Sequence, residues 1–498
     1  MKKSLRSTRS SQIQTDFWSA VQNGIAEDGG LYIPKDWQNK QLNVETLPDS
    51  YLQIAHAVLS CFTDELDPQT LTSFLHQAYD GRFEAEDVVA LKPLGSDYLL
   101  ELYHGPTAAF KDIALSLLPL FLNEAAARQE NPAQTLILTA TSGDTGKAAL
   151  EGFKDRSGCE LLVFYPDQRI SEIQQRQMLT SEGKNVGVCA VRGDFDDAQS
   201  AVKRCFADPQ LSAELQAHHI RLSSANSINI GRLVPQIVYY FWAYRKLRRQ
   251  GVLKTGQCLN FSVPTGNFGD ILAGYYAKQM GLPVGKLIVA SNANNVLTEF
   301  FTTGRYDCRR KLVKTTSPSM DILISSNLER LLAHESAPDD CSVSLYMEQL
   351  KQNGWYQIEP SLLAKLQRQF ACGDCLDDQA AETIRQVYAQ TAQVLDPHTA
   401  VGVHVLRQLR QKGEVQDPCV ILATASCYKF SRDVHEALFG HCDLDEWSAM
   451  EQLSARTGLP IPTALQGLRE KSIRHTDKIE KDAIVDYVRQ KVQVMKHD

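Results

Sequence analysis

The sequence predicts an α/β fold with parallel sheets, on two observations. Short apolar runs rich in Val, Ile and Leu recur along the chain, and apolar residues at consecutive positions are typical of strands covered on both faces. Stretches with helical periodicity, such as 198–206 and 233–247, connect the runs, as parallel strands require. The predicted strands are 136–140, 161–165, 186–191, 259–263, 287–290 and 419–423.

Length and composition indicate a globular protein of two or three domains. The chain has 498 residues, of which 43% are hydrophobic and 22% charged, so it has enough apolar surface to form packed cores. The 52 Lys and Arg residues against 59 Asp and Glu residues give a formal net charge of -7. Because a mildly acidic surface repels nucleic-acid phosphates and anionic lipids, we expect neither a nucleic-acid nor a membrane partner.

The sequence also favours a cytoplasmic location. No apolar segment follows the basic residues near the N-terminus, and so we expect no export signal. The apolar stretch 113–122 contains Pro119 and is too short to cross a bilayer, which predicts a buried helix. The 12 cysteines are scattered and are best interpreted as reduced thiols. Cys372 and Cys375 have the spacing of zinc ligands or a redox pair, but without a second pair we favour a loop or helix-cap role.

Two polar loops that contain glycine follow predicted strands. The loop 141–147 (TSGDTGK) follows the strand at 136–140, and the loop 265–270 (TGNFGD) follows the strand at 259–263. Ligands of parallel sheets bind beyond the carboxyl ends of strands. Glycine allows backbone N–H groups to approach a ligand, and a following helix adds its positive end. Each loop is therefore a candidate anion site, with an ordinary tight turn as the alternative for either loop alone.

Lys111 lies in a setting that favours a neutral amine. Small and apolar residues surround it, and Pro106 is placed to start the helix that continues through Ile113 and Leu117. Partial desolvation and a helix N-terminus both disfavour the ammonium form, which predicts a lowered pKa for Lys111. A neutral amine can form a Schiff base with an aldehyde cofactor or act as a base. A surface cation is the alternative for this lysine taken alone.

The segment 104–112 (HGPTAAFKD) resembles the cofactor-lysine motif of the long-form threonine synthases, pyridoxal-phosphate enzymes of the tryptophan synthase β-like family. The resemblance covers nearly the whole chain. It continues, in the order typical of that family, through the segments 7–9, 28–32, 141–146, 226–229, 266–270, 316–321 and 396–399.

The resemblance implies a two-domain core of parallel sheets, with an added N-terminal domain and a helical C-terminal tail. We expect the boundaries to give an N-terminal domain at 1–95, a large cofactor-binding domain at 96–130 and 225–442, a smaller α/β domain at 131–224, and the helical tail at 443–498.

The resemblance also implies pyridoxal 5'-phosphate as the cofactor and assigns roles to residues, with no metal site. Lys111 would bind the cofactor aldehyde and shuttle protons. Thr424 would place a hydroxyl near the pyridine nitrogen. The cofactor phosphate falls on the second glycine loop, at Gly266, Asn267, Phe268, Gly269 and Asp270. The substrate would be bound by Ser142, Gly143, Asp144, Thr145, Gly146, Asn226, Ser227, Asn229 and Arg232. Helix capping is the alternative for the Asn and Ser residues of 226–229.

The implied reaction converts O-phospho-L-homoserine and water to L-threonine and phosphate by γ-elimination and β-addition. It is a carbon–oxygen lyase reaction of threonine biosynthesis on a small phosphorylated amino acid. We expect domain closure on substrate binding, and a monomer or homodimer. The segment 426–430 (SCYKF) departs from the His-Pro-Ala-Lys-Phe of many members. A related enzyme of β- or γ-replacement or phospho-lyase chemistry therefore stays an alternative, as does a catalytically silent ligand-binding homologue.

Overall fold

The computed structural model describes residues 3–63, 65–141, 143–167, 170–193, 195–336 and 341–494. The strands are β1 (Leu5–Ser7), β2 (Gln14–Thr15), β3 (Tyr32–Pro34), β4 (Ala90–Leu94), β5 (Asp97–Glu101), β6 (Gln134–Ala140), β7 (Cys159–Pro166), β8 (Val186–Arg192), β9 (Ile220–Ser223), β10 (Leu259–Pro264), β11 (Val284–Ser291), β12 (Arg305–Asp307), β13 (Trp355–Gln357), β14 (Phe370–Asp374), β15 (Cys419–Ala423) and β16 (Asp477–Glu480). The α/β class predicted from the sequence is confirmed.

Helices cover both main sheets. They are α1 (Phe17–Asn23), α2 (Tyr51–Ser60), α3 (Pro68–Tyr79), α4 (Lys111–Ala127), α5 (Asp144–Phe153), α6 (Glu172–Leu179), α7 (Phe195–Ala207), α8 (Pro209–Ala217), α9 (Ile230–Arg249), α10 (Gly269–Gln279), α11 (Val296–Thr303), α12 (Leu328–Glu335), α13 (Ser342–Asn353), α14 (Pro360–Gln369), α15 (Asp377–Thr391), α16 (Pro397–Gln411), α17 (Ser431–Phe439), α18 (Glu446–Thr457) and α19 (Ile484–Val494). The helices predicted at 198–206 and 233–247 lie within α7 and α9.

The larger sheet has six strands in the order β14-β11-β10-β15-β5-β4. All neighbours in it are parallel except β4 and β5, which form an antiparallel pair. The predicted strands 259–263, 287–290 and 419–423 are its central strands β10, β11 and β15, and every residue of β10 and β15 is buried. Because β4 precedes residue 95, the first strand of this sheet comes before the boundary predicted for the N-terminal domain.

The second sheet has five parallel strands in the order β16-β8-β7-β6-β9. The strands predicted at 136–140, 161–165 and 186–191 are its β6, β7 and β8. Its edge strand β16 comes from the C-terminal segment, where Ile479 pairs with Val191. That segment is therefore not wholly helical, since it contains β16 as well as α18 and α19. The strand escaped sequence analysis because it is mostly exposed and offers no apolar run.

The helix that carries Lys111 begins later than Pro106 suggests. Ala108 has a φ of 56°, a left-handed conformation that no helix continues through. The carboxylate of Asp112 accepts hydrogen bonds from the N–H and hydroxyl of Thr107 at 2.9 and 2.6 Å. The segment before Lys111 is thus folded into turns, and α4 begins at Lys111 itself.

Helix α4 is the buried helix predicted at 113–122. It packs closely against α5. Gly152 of α5 leaves no room for a side chain, since a Cβ there would overlap the carbonyl oxygen of Leu115. None of the helices in the described ranges is long and apolar enough to cross a membrane.

Cys372 lies in β14 and Cys375 directly follows that strand, and both thiols donate to backbone carbonyls. Within the part of the chain that the structure describes, no group of His, Cys, Asp or Glu could hold a metal ion.

Candidate active site

A cavity of about 570 Å³ lies where strands of both sheets end. It is lined by the residues that follow β6, β10 and β15, by the start of α4, and by side chains from α7 and α9. This is the position at which parallel α/β sheets bind small molecules. Both glycine loops predicted from the sequence contribute to its wall.

Lys111 is the amine of this cavity. Its side chain is only 12% exposed, and its Nζ lies 3.7 Å from Oδ2 of Asp144 and 4.7 Å from the centre of the Phe110 ring. Burial lowers the pKa of Lys111, and the positive charges of Lys429 and Arg232 lower it further, while Asp144 opposes them. The lowered pKa matches the sequence prediction, and the alternative of a surface cation is wrong for this residue.

Asp144, the first residue of α5, is bound by a second lysine. Its Oδ1 lies 2.5 Å from Nζ of Lys429 and accepts from the amide of Gln174 at 2.7 Å. Burial by itself would raise the pKa of Asp144, but the charges of Lys429 and Lys111 outweigh burial and lower it. Sequence analysis gave Lys429 no role. One feature of the sequence could have indicated a role for Lys429: the segment 426–430 departs from the family pattern but keeps Lys429 and Phe430.

The loop at 141–146 folds around the hydroxyl of Thr141. This oxygen accepts hydrogen bonds from the N–H groups of Gly143 at 3.0 Å and Gly146 at 2.9 Å, so those two groups are used within the loop. Gly143 has a φ of 146°, and a Cβ there would approach the Gln174 side chain to 2.8 Å. Thr145 lines the cavity together with Asp144. Ser142, the remaining substrate residue predicted in this loop, lies outside the described residues.

The loop at 266–270 presents the start of α10 to the cavity, which all five of its residues line. Phe268 has a φ of 63°, and its buried ring stacks on Phe301 at 5.9 Å, so its side chain anchors the loop from behind. A Cβ on Gly266 would come within 2.9 Å of the Ser319 carbonyl oxygen. Backbone N–H groups at a helix start favour a phosphate, as the sequence predicted for this loop.

Asp270 closes the same loop with a buried carboxyl group. Its Oδ1 accepts from the hydroxyls of Tyr239 and Tyr240, whereas its Oδ2 has no hydrogen-bond partner among the described residues. Burial raises the pKa of Asp270 to about 6, although both tyrosines and Lys111 act in the opposite direction. An unpartnered polar atom thus lies at the proposed phosphate site.

Thr424 follows β15 and lies next to the start of α4. Its carbonyl accepts from the N–H of Phe110 at 2.9 Å, and the N–H of Ser426 donates to Ala108 at 3.1 Å. These two bonds join the segment before Lys111 to the end of β15. Thr424 is buried and lines the cavity, as its predicted cofactor role requires.

The residues predicted from the segment 226–232 divide into two groups. Asn226, Ser227 and Arg232 line the cavity. Asn229 is fully buried and does not: its Oδ1 caps α9 by accepting from Gly231 at 2.9 Å, and its Nδ2 donates to Val21 at 2.8 Å. Helix capping, the alternative considered for Asn229, accounts for its Oδ1, and the bond to the carbonyl of Val21 in α1 occupies its Nδ2.

Arg232 is a buried cation with an unused donor. It is 3% exposed, one of its terminal nitrogens donates to the carbonyl of Ala225 at 2.5 Å, and its Nε has no partner within the described structure. Burial lowers the pKa of Arg232 to about 10. A buried guanidinium with a free N–H is suited to an anion such as a phosphate.

Another wall of the cavity is formed by residues to which the sequence assigned no role. The segment 318–322 lines it, and the N–H of Ser319 lies 3.2 Å from Nε2 of His398, whose Nδ1 lies 2.9 Å from Asp396. Asp321 fixes the same segment by accepting from the amide of Asn292 at 2.8 Å. Both stretches belong to motifs found in the sequence, but no individual role could be derived for them there.

Comparison with known proteins agrees with this geometry. Three family models match: "Threonine synthase N terminus" at residues 4–79, "Pyridoxal-phosphate dependent enzyme" at 91–344 and "Threonine synthase, C-terminal" at 399–488. A threonine synthase of Pseudomonas aeruginosa is 39% identical over 438 residues, which cover 87% of this chain and 90% of that protein. The chain belongs to the threonine synthase family.

Solved threonine synthases share the whole fold. The structure of the pyridoxal-phosphate-bound enzyme of Brucella melitensis is 37% identical with a TM-score of 0.85, and covers 98% of either chain. The yeast enzyme is 32% identical with a TM-score of 0.86, and covers 99% of this chain and 100% of its own. The similarity of fold therefore includes the N-terminal and C-terminal segments as well as the two sheets.

The described residues fit the cofactor of this family. A largely buried amine with a lowered pKa, a helix start that offers N–H groups, and a hydroxyl at Thr424 line one cavity. These groups match an aldehyde, a phosphate and a ring nitrogen. Within the described structure, Oδ2 of Asp270 and Nε of Arg232 have no hydrogen-bond partner, so both could bind further atoms of a ligand.

Proposed function

We propose that the chain catalyses the threonine synthase reaction, in which O-phospho-L-homoserine and water give L-threonine and phosphate. Threonine synthase is the activity of the family to which the chain belongs, and pyridoxal 5'-phosphate is the cofactor. One observation carries the proposal. The cavity combines a buried amine, Lys111, with two separate places for phosphate, the loop at 266–270 and the free donor of Arg232.

Three parts of the chain would hold the cofactor. The Nζ of Lys111 would bind its aldehyde, the N–H groups at the start of α10 would bind its phosphate, and Thr424 would face its pyridine nitrogen. When bound, pyridoxal phosphate supplies an electron sink that stabilises negative charge on the carbon atoms of the substrate. A hydroxyl partner at Thr424 would leave the ring nitrogen unprotonated, and this would moderate that sink.

Lys111 would move the protons. Its Nζ would remove the α-proton and then a β-proton of the substrate, would return a proton to the γ-carbon once phosphate has left, and would return a proton to the α-carbon once water has added at the β-carbon. A lowered pKa suits this work, because the amine must be unprotonated before each removal. The carboxylate of Asp144 lies 3.7 Å from this amine but 2.5 Å from Nζ of Lys429.

The substrate phosphate would lie against Arg232, with Asn226 and Ser227 beside it. The Nε of Arg232 has no partner within the described structure, so its N–H would be free to donate a hydrogen bond to an oxygen of the substrate phosphate. Thr145 and Asp144 on the opposite wall would contact the amino-acid end. Water must be excluded until phosphate has left, and closure of the smaller α/β domain over the cavity would exclude it.

We also propose the cellular setting. The formal net charge of -7 supports a protein without a nucleic-acid partner, and scattered free cysteines support a reducing, cytoplasmic location. The assembly proposed is a monomer or homodimer.

The test is product identification. Purified protein loaded with pyridoxal phosphate is incubated with O-phospho-L-homoserine, free phosphate is measured, and the organic product is identified by mass spectrometry. We expect equal amounts of L-threonine and phosphate, loss of both in Lys111→Ala, and normal rates in Lys351→Ala, which removes an exposed lysine of α13. A keto acid as the product would indicate phospho-lyase chemistry, and no phosphate release by cofactor-loaded protein would contradict the proposal.

A further inference from the structure

Two lysines share one aspartate at the centre of the active site. Lys429 has no exposed surface, and its Nζ lies 2.5 Å from Oδ1 of Asp144. Lys111 lies 3.7 Å from the other oxygen of the same carboxylate. Such a buried group of two potential cations and one anion carries an excess positive charge if both amines are protonated, and burial makes that state costly.

The two lysines differ in how closely they contact Asp144. Lys429 is closer to Asp144, is more deeply buried, and also donates to the carbonyl of Thr107 at 3.0 Å. A buried ammonium needs partners of this kind, and Lys429 has two. Among the described residues, Lys111 has a longer contact to Asp144, at 3.7 Å, and one to the ring of Phe110, at 4.7 Å, and it lines the cavity.

We propose that Lys429 is a positioning residue for Lys111: by pairing with Asp144 it neutralises the carboxylate and leaves the Lys111 amine uncharged and free to react. The inference rests on the proposed role of Lys111 in the reaction. Without Lys429, Asp144 would instead pair with Lys111 and hold it as an ammonium ion, which is neither a nucleophile nor a base.

The other charges around Lys111 do not replace this arrangement. Arg232 of α9 also lowers the pKa of Lys111, and Asp270 of α10 faces Lys111 with the opposite sign. Among the cations whose charge lowers the pKa of Lys111, however, Lys429 alone is hydrogen-bonded to Asp144 within the described structure. Lys429 also faces Asp112, a carboxyl that is bound by Thr107 on the far side of the loop.

The backbone holds Lys429 in register with Lys111. The N–H of Ser426 donates to Ala108 at 3.1 Å, and Lys429 Nζ binds the next residue back, Thr107. The turn that carries Lys429 is therefore joined to the turn that leads into Lys111. A shift of either segment would change the distance between the two amines and Asp144.

The test measures the protonation of Lys111 directly in the full chain without cofactor. Acetic anhydride labels only uncharged amines, and peptide mass spectrometry reports the labelling rate of Lys111 as a function of pH. Lys429→Met preserves volume and removes the charge, so we expect the labelling rate at neutral pH to fall about tenfold or more. The acid limb of the kcat/KM profile of the loaded enzyme should move to higher pH.

Two further variants separate this role from a merely structural one. Adding Asp144→Asn to Lys429→Met removes the anion that would trap Lys111, so labelling should return toward the wild-type rate. Lys147→Met is the matched control, because Lys147 is a buried lysine of α5 that binds Glu151 at 2.6 Å, and it should leave Lys111 labelling unchanged.

Unchanged labelling in folded Lys429→Met, or no recovery in the double variant, overturns the proposal. Should Lys429→Met fail to fold, Asp144→Asn alone decides: it should raise Lys111 labelling at mildly acidic pH, and an equal or lower rate overturns the proposal. Labelling requires neither cofactor nor substrate. Failure of the proposed function would instead be seen as no release of phosphate from O-phospho-L-homoserine by the cofactor-loaded wild-type protein.

Discussion

Replacing Asp270 with Asn changes how the stability of the cofactor-free protein depends on pH. Burial raises the pKa of Asp270 from 3.8 to about 6. The folded state therefore binds the proton more tightly than the unfolded state, and its stability falls as pH rises between these two values. A rise of about two pKa units corresponds to about 3 kcal/mol of unfolding free energy, and with Asp270 only 8% exposed little of this is screened by solvent.

Asn at position 270 keeps the oxygen that accepts from Tyr239 and Tyr240 but carries no charge. We therefore expect Asp270→Asn to exceed the wild type in unfolding free energy by up to about 3 kcal/mol near pH 8, and to equal it near pH 4. Asp112 and Asp433, whose pKa values burial also raises to about 6, remain in both proteins and cancel in the difference.

Urea unfolding at several pH values, followed by circular dichroism on protein freed of cofactor, measures this difference. Asp36→Asn serves as the control, because Asp36 is exposed. A difference between Asp270→Asn and the wild type that does not change with pH would refute the reasoning, since the carboxyl would then have the same pKa in the folded and unfolded states.

Three further predictions concern the cofactor, the substrate and the C-terminal segment. Gly266→Ala places a Cβ 2.9 Å from the Ser319 carbonyl oxygen, so cofactor affinity measured by titration should fall about tenfold or more, and unchanged affinity would contradict the close approach. Arg232→Met should raise the KM for O-phospho-L-homoserine about tenfold or more while cofactor absorbance stays normal; an unchanged KM would place the substrate phosphate elsewhere. Trp447→Phe removes a 2.8 Å hydrogen bond to Glu172 and should lower the unfolding free energy by about 1–2 kcal/mol in urea, whereas no loss would show that this contact does not fasten α18 to α6.

The sequence predicted most of the strands that are buried on both faces, and it missed β5, which is mostly buried, together with strands that are more exposed. β6, β7, β8, β11 and β15 each contain a run of apolar residues, and in β10 three apolar residues alternate with Asn260 and Ser262. β14 contains Gly373 and Asp374, and β16 is mostly exposed, so neither has an apolar run to find. The start of α4 was misplaced because the rule for Pro106 takes no account of the left-handed Ala108.

Site residues that lie close together in the sequence could be predicted directly, whereas those that the fold brings together from distant segments could not. The loop at 265–270 combines a strand end, glycines and a helix start within a few residues, and the sequence alone marks it. Lys111 was predicted both from its apolar setting and from the resemblance to a family, and Arg232 from the resemblance alone. The role of Lys429 could not be derived, although the residue is retained in the segment 426–430, because that role depends on contact with Asp144, which follows a strand of the other sheet in a distant part of the chain.

The most direct test of the account is to locate the covalent link between protein and cofactor. The protein is loaded with pyridoxal phosphate, the carbon–nitrogen double bond is reduced with borohydride, and the modified peptide is sequenced by mass spectrometry. We predict the adduct on Lys111 alone. An adduct on Lys429 or Lys147, with Lys111 unmodified, would contradict the account.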